Sequence, residues 1–322
     1  MCESKKKPLS NSMNKFNNPS TGGKIGRLVG KFSLEKNCRI TSLLLLATIV
    51  LPCAVFAQPK ILFIGNSFTY GGSDATNKTM KLGGVPALFS LLAQAGGQPK
   101  PETKMITTGG QDFRYHNSHP ATLAAINEQP WDYVVLQNYS TEPTHMADGR
   151  HSITNHYLFG TALYQRVMSN NPTTHIILYE TWSRAADHPF ITGISSANSF
   201  ASTTEFQAEL RANYKGLAHA LNEAYPTNPP VIVAPVGDAW ENLGGLRASS
   251  DPQYVRLHAS DNYHGNDNAY YLAAAVFYAT IYHANPHRLS TNALISDLHL
   301  NLSVPASMLE DAAWTTVKGS PP

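Results

Sequence analysis

Ile61-Leu62-Phe63-Ile64-Gly65-Asn66-Ser67-Phe68-Thr69 decides how this chain is read, because four apolar residues end abruptly in Gly-Asn-Ser. A strand covered by helices on both faces of a parallel sheet reads as an uninterrupted apolar run. Where such a strand stops, it delivers its next side chains to the carboxyl edge of the sheet, the edge where open α/β folds place their chemistry. Ser67 is therefore a candidate nucleophile. Far downstream comes Asp261-Asn262-Tyr263-His264. A hydroxyl at a strand end, with a carboxylate and an imidazole three positions apart, supplies the parts that activate a serine, in the chain order Ser, Asp, His.

Outward from this stretch, short β-rich apolar runs recur at Lys60–Ile64, Lys104–Thr107, Tyr133–Leu136, His175–Tyr179 and Val231–Val236. Helix-like periodicity fills the intervals at Val85–Ala95, Ala121–Asn127, Thr154–Met168, Glu205–Ala224 and Asn268–His283. Strand alternating with helix predicts an α/β fold, a doubly wound three-layer α/β/α sandwich on a mainly parallel, five-stranded, flavodoxin-like sheet. Val233–Trp240 reads as the fifth strand and its exit. Ser183–Thr204, rich in Ser, Ala and Gly, reads as a lid or specificity loop, or equally as a plain surface loop. The tail from Arg288 either packs over the sheet or frays.

In strand order 2-1-3-4-5 the first strand lies between the second and third, each about 5 Å away, so residues just past these three ends converge. After the second strand comes Thr107-Thr108-Gly109-Gly110-Gln111-Asp112, and after the third Leu136-Gln137-Asn138-Tyr139-Ser140. Ser67 N–H, Gly110 N–H and one side-chain amide then form an oxyanion hole. Gln137, first past the strand, is the expected amide, with Asn138 as its substitute. Asp261 and His264, at i and i+3, share one face of a turn, so the carboxylate can orient the imidazole towards Ser67. Asn66 can hydrogen-bond the turn after the strand or orient the loop carrying Gly110.

These motifs resemble the SGNH (GDSL-type) hydrolases, specifically a branch whose first block reads Gly-Asn-Ser-Phe-Thr, and the resemblance runs through most of the chain after residue 58. It implies a nucleophile and backbone donor at Ser67, a glycine donor at Gly110, and the Asp-x-x-His pair at Asp261 and His264. The third block departs, since the usual Gly-x-Asn-Asp is absent from Val134–Ser140. The implied activity is hydrolysis of carboxylic esters, with short acyl groups on carbohydrates a plausible target. A non-catalytic glycan-binding protein on the same fold, favoured by that departure, and an acyltransferase using the same site are the alternatives.

Residues 1–57 read as a removable leader: a polar, basic portion, then an apolar stretch too short to span a bilayer comfortably, ending in Val55-Phe56-Ala57. Cleavage after Ala57 leaves one catalytic domain over 58–322, secreted or periplasmic and without stable membrane insertion. An uncleaved anchor is the other reading. The leader holds nine basic and two acidic residues, so the remainder carries fifteen against twenty, a formal charge of −5. Such a chain has no electrostatic footprint for nucleic acid. All three cysteines, Cys2, Cys38 and Cys53, fall in the leader, so the exported part has neither disulfide nor thiolate metal site.

Thirteen histidines invite a metal reading, but His258, Asp261 and His264 lack zinc-type spacing, and no metal or cofactor is expected. Neither Gly-x-Gly-x-x-Gly nor a P-loop lysine follows Ser67, and the Gly-x-Ser-x-Gly elbow of α/β-hydrolases is missing. His116, Asn138 and Trp182 are candidate substrate contacts. Tyr139, Trp240 and Tyr263 could wall a sugar ring, although aromatics at strand ends are commonly core.

Overall fold

Lys60–Gly65 forms β1, and its pairing fixes everything around it. The computed structural model describes residues 57–320 except 73, 75, 147–151 and 194–198. The leader expected over 1–57 lies, but for Ala57, outside the described residues. The remaining strands are β2 (Glu102–Thr107), β3 (Tyr133–Leu136), β4 (His175–Tyr179) and β5 (Ile232–Ala234), all parallel, in the order β2-β1-β3-β4-β5. Both the expected fold class and the expected strand order are found. Register aligns the strand ends: Gly65 with Thr107, Ile64 with Leu136, Leu136 with Leu178, and Tyr179 with Ala234. The segments carrying Ser67, Gly110, Gln137 and Arg184 all leave from this one edge.

In chain order the helices are α1 (Ser67–Tyr70), α2 (Lys78–Leu82), α3 (Gly84–Ala95), α4 (Phe113–Ser118), α5 (Pro120–Ile126) and α6 (Ile153–Asn170). They continue as α7 (Pro189–Thr192), α8 (Thr203–Ala224), α9 (Val236–Leu243), α10 (Asp267–Tyr282), α11 (Ala293–Ser296) and α12 (Ala306–Gly319). Successive strand residues point to opposite faces, so each strand feeds two cores. Ile61, Phe63, Val135, Ile177 and Tyr179 pack with α3, α9, α10 and α12. Leu62, Ile64, Val134, Leu136, Ile176 and Leu178 pack with α5, α6 and α8.

α10 is buried all round, from Asp267 to Ile281, between α3 on one side and α12 on the other. A helix apolar on every face has to be enclosed. The tail after Arg288 thus supplies α12 as the outer cover of α10. β5 ends sooner than expected, because Pro235 caps α9 and the chain turns helical at Val236.

Candidate active site

Ser67 opens α1 at the end of β1. Asn66 caps that helix, its Oδ1 accepting from Phe68 N–H at 3.1 Å. The first N–H groups of a helix have no acceptor within it, so Ser67 N–H is available as a donor. Asn66 Nδ2 donates to Gln111 O at 2.9 Å and ties the nucleophile turn to the loop carrying Gly110. Neither contact needs an ionised side chain, which is why asparagine serves at this position. Gly65 admits no substituent, since a Cβ there would lie 2.6 Å from both Gln137 Oε1 and Thr69 Oγ1.

The loop between α9 and α10 brings the other two groups. Asn266 caps α10, accepting from Ala269 N–H, and His258 and Gly265 form an antiparallel bridge just before it. Ala259 N–H donates to His264 O at 2.8 Å, closing the loop. Within it Asp261 Oδ1 accepts from Tyr263 N–H at 3.0 Å and His264 N–H at 2.9 Å, while Oδ2 lies 2.7 Å from His264 Nδ1. His264 Nε2 lies 2.8 Å from Ser67 Oγ. A carboxylate beside Nδ1 fixes the proton there, so Nε2 presents its lone pair to the serine hydroxyl. Partial burial pushes the Asp261 carboxyl up, but the hydrogen bonds from His264 and from the two backbone N–H groups outweigh it and hold it below its ordinary value. Ser67 and His264 are only 4% and 8% exposed, so the pair is shielded without being sealed. Among the described residues no cluster of His, Cys, Asp or Glu is suited to hold a metal ion.

Gly110 sits on the β2–α4 loop in the left-handed region, φ +71°, exposed and with open space where a Cβ would be. A backbone turned this way, and bare, lets a substrate oxygen approach an N–H.

Four of the residues singled out from sequence do other work. Gln137, expected as the amide donor, is fully buried; its Oε1 accepts from Asn66 N–H at 2.8 Å and Thr69 Oγ1 at 3.0 Å, and its amide nitrogen donates to Asn138 O. Its substitute Asn138 is equally buried, with Oδ1 accepting from the N–H groups of Phe113 and Tyr139 and Nδ2 donating to His156 Nδ1. Both amides are braces. His116, expected near substrate, has no exposure; it accepts from Thr122 Oγ1 and donates to Gly65 O, each at 2.9 Å, and burial lowers its pKa to about 4. Trp182 is core, stacked on Trp240 at 4.2 Å, and so neither indole walls a sugar.

Arg184 and Ser140 escaped the sequence reading. The available signal was a lone arginine five residues past the fourth strand, in a stretch read as a loop. A cavity of about 740 Å³ opens between α8, β5, α10 and α12, and Ser67, Asp261 and His264 do not line it.

No family model matches the chain, and no curated protein does either. Solved structures do. A DUF4886-family protein from Bacteroides uniformis superposes with a TM-score of 0.51 at 15% identity, over 81% of this chain and 95% of that one. A protein from Slackia heliotrinireducens described as an SGNH hydrolase gives 0.48 at 19%, over 70% of this chain and 100% of that one. A carbohydrate esterase of family 3 from Talaromyces cellulolyticus gives 0.44 at 12%, over 70% and 97%. The chain shares the fold of the Bacteroides uniformis protein. At these identities the likeness is one of architecture, and the chemistry rests on this chain's own residues.

Proposed function

We propose that the chain is an exported serine esterase that cleaves carboxylic esters through an acyl-enzyme on Ser67, removing acetyl or other short acyl groups from carbohydrates. One observation carries the reading: the continuous chain from Asp261 through His264 to Ser67, with both links under 3 Å. His264 Nε2 takes the Ser67 proton as Oγ attacks the ester carbonyl. Ser67 N–H and Gly110 N–H hold the resulting oxyanion. His264 then returns the proton to the leaving alcohol. Water, deprotonated by the same nitrogen, releases the acid and restores the serine.

Export and the glycan substrate rest on the leader pattern and on the family resemblance. No described helix is long and apolar enough to cross a membrane. Ser67→Ala or His264→Ala is expected to lower kcat on p-nitrophenyl acetate by about three orders of magnitude or more in folded protein. A fluorophosphonate probe should label Ser67 in the parent chain and fail in His264→Ala. Undiminished turnover in folded Ser67→Ala would eliminate the mechanism. Glycan binding without probe labelling would favour the non-catalytic alternative.

A further inference from the structure

Trp182–Ala185, the four residues that follow Glu180 and Thr181 off β4, are all buried, and each touches the loop that carries Asp261 and His264. Trp182 Nε1–H donates to Tyr263 O at 3.2 Å. Ser183 O accepts from His258 Nε2–H at 2.9 Å. Ala185 N–H donates to Asn262 O at 3.1 Å. Between these backbone ties, the Arg184 guanidinium carbon lies 3.7 Å from the centroid of the Tyr263 ring. On its own account the Tyr263 ring leans on the His264 ring, with centroids 4.1 Å apart, and on Phe68 at 5.4 Å.

Arg184 is an expensive residue to keep here. It is 2% exposed, Nη2 donates to Ser140 Oγ at 2.8 Å, and Nη1 is buried without a hydrogen-bond partner. Among the described residues no carboxylate lies within salt-bridge distance of it. Burying a guanidinium with so little compensation costs stability, and an apolar side chain of similar volume is often as stable or more so. Packing alone does not call for an arginine. A planar cation against a tyrosine face does, because only guanidinium combines that stacking with a directed hydrogen bond to a fixed anchor.

We infer that Arg184 is a positioning residue for His264: anchored by Ser140 and stacked on Tyr263, its guanidinium sets the tilt of the Tyr263 ring against which the catalytic imidazole rests. The inference rests on the serine-esterase reading and adds to it a residue that touches neither substrate nor Ser67. Its effect has to pass through His264. Misplacing a catalytic group by about 1 Å can cost about a hundredfold in rate, and the loss should appear in kcat, because Arg184 is buried and acts only through His264.

The test is a cycle of wild type, Arg184→Met, His264→Ala and the double variant on p-nitrophenyl acetate, each with a thermal melt. Arg184→Met is expected to fold and to lose about 10- to 100-fold in kcat with KM changed less than about threefold. In the His264→Ala background the same substitution should change the residual rate by less than about twofold, since the group it positions is gone. Ser140→Ala, which removes the anchor and leaves the arginine, should lose kcat in the same direction by less, and likewise only when His264 is present. Wild-type kcat in folded Arg184→Met, or an equal loss in both backgrounds, would overturn the inference. Should Arg184→Met not fold, Ser140→Ala alone carries the same two outcomes. Failure of the esterase reading is distinguishable, because it appears as undiminished turnover in His264→Ala itself.

Discussion

Gln137 holds the turn that holds Ser67. Its Oε1 is the acceptor for two groups of that turn, Asn66 N–H and Thr69 Oγ1. Gln137→Met keeps the volume and strands both donors, at about 1–3 kcal/mol for each unsatisfied group. The expected result is a lower urea midpoint at unchanged m, with activity following the folded fraction. Were Gln137 an oxyanion donor, kcat would instead fall about 10²- to 10³-fold with little change in stability. Ser67, Asp261 and His264 were legible from residue type because a nucleophile, a carboxylate and an imidazole at those spacings have few other joint uses. An amide has a donor end and an acceptor end, and which end is engaged depends on partners distant in the chain. That is why Gln137 and Asn138 were read as donors to substrate and not as braces.

At the level of elements, β3 and β4 were legible to the residue because buried parallel strands are bounded apolar runs. α4 was missed, since Phe113-Arg114-Tyr115-His116-Asn117-Ser118 shows no helical spacing of apolar residues; its start is set by Asp112, which accepts from Tyr115 N–H. α9 was missed because Val236-Gly237 continues the look of β5. Its start is fixed by Glu180, just past β4, whose backbone O accepts from Gly237 N–H at 3.2 Å and whose Oε1 accepts from Asp238 N–H at 3.0 Å and from Gln207 Nε2 of α8 at 2.8 Å. Burial, then the charge of Asp238 and a hydrogen bond with it, push the Glu180 carboxyl well above its ordinary 4.5, against weaker pulls from Arg211 and Lys215. The fold therefore holds a proton that the unfolded chain releases near 4.5, and raising the pH above that value works against folding. Glu180→Gln keeps the acceptor oxygen and supplies the proton permanently. Its urea midpoint should match wild type near pH 4 and exceed it increasingly from pH 5 to 8. A difference independent of pH would mean that Glu180 does not carry that proton in the fold.

Across the whole molecule, the opposite sign dominates. His116 and His258 are buried with pKa values lowered to about 4, and His156 to about 3, each chiefly by loss of solvent. All three lie in the polar layer under the carboxyl edge of the sheet: His116 bonds to Gly65 O, His156 takes the Asn138 amide, and His258 holds Ser183 O. In the unfolded chain these rings bind protons near 6.5, so they stabilise the fold above that pH and lose their contribution as the pH falls towards 4 and 3. One unit of difference is about 1.4 kcal/mol, which makes the loss on the order of 3 kcal/mol for His116 and His258 and about 5 kcal/mol for His156 at the acid limit. Between pH 4.5 and 6.5 three such groups act against the single carboxyl of Glu180, whose effect runs the other way from 4.5 upward. The layer that shapes the site is thus the layer that fails in acid. Urea unfolding at half-unit steps should show stability falling steeply below pH 6, with esterase activity lost along the same curve, and declining more gently above pH 6.5, where only Glu180 still acts. His156→Gln should reduce that fall while leaving the pH 7.5 midpoint lower, since the Asn138 amide keeps only a poorer acceptor. A stability curve flat from pH 7 to 4 would contradict the burial of these three rings in neutral form.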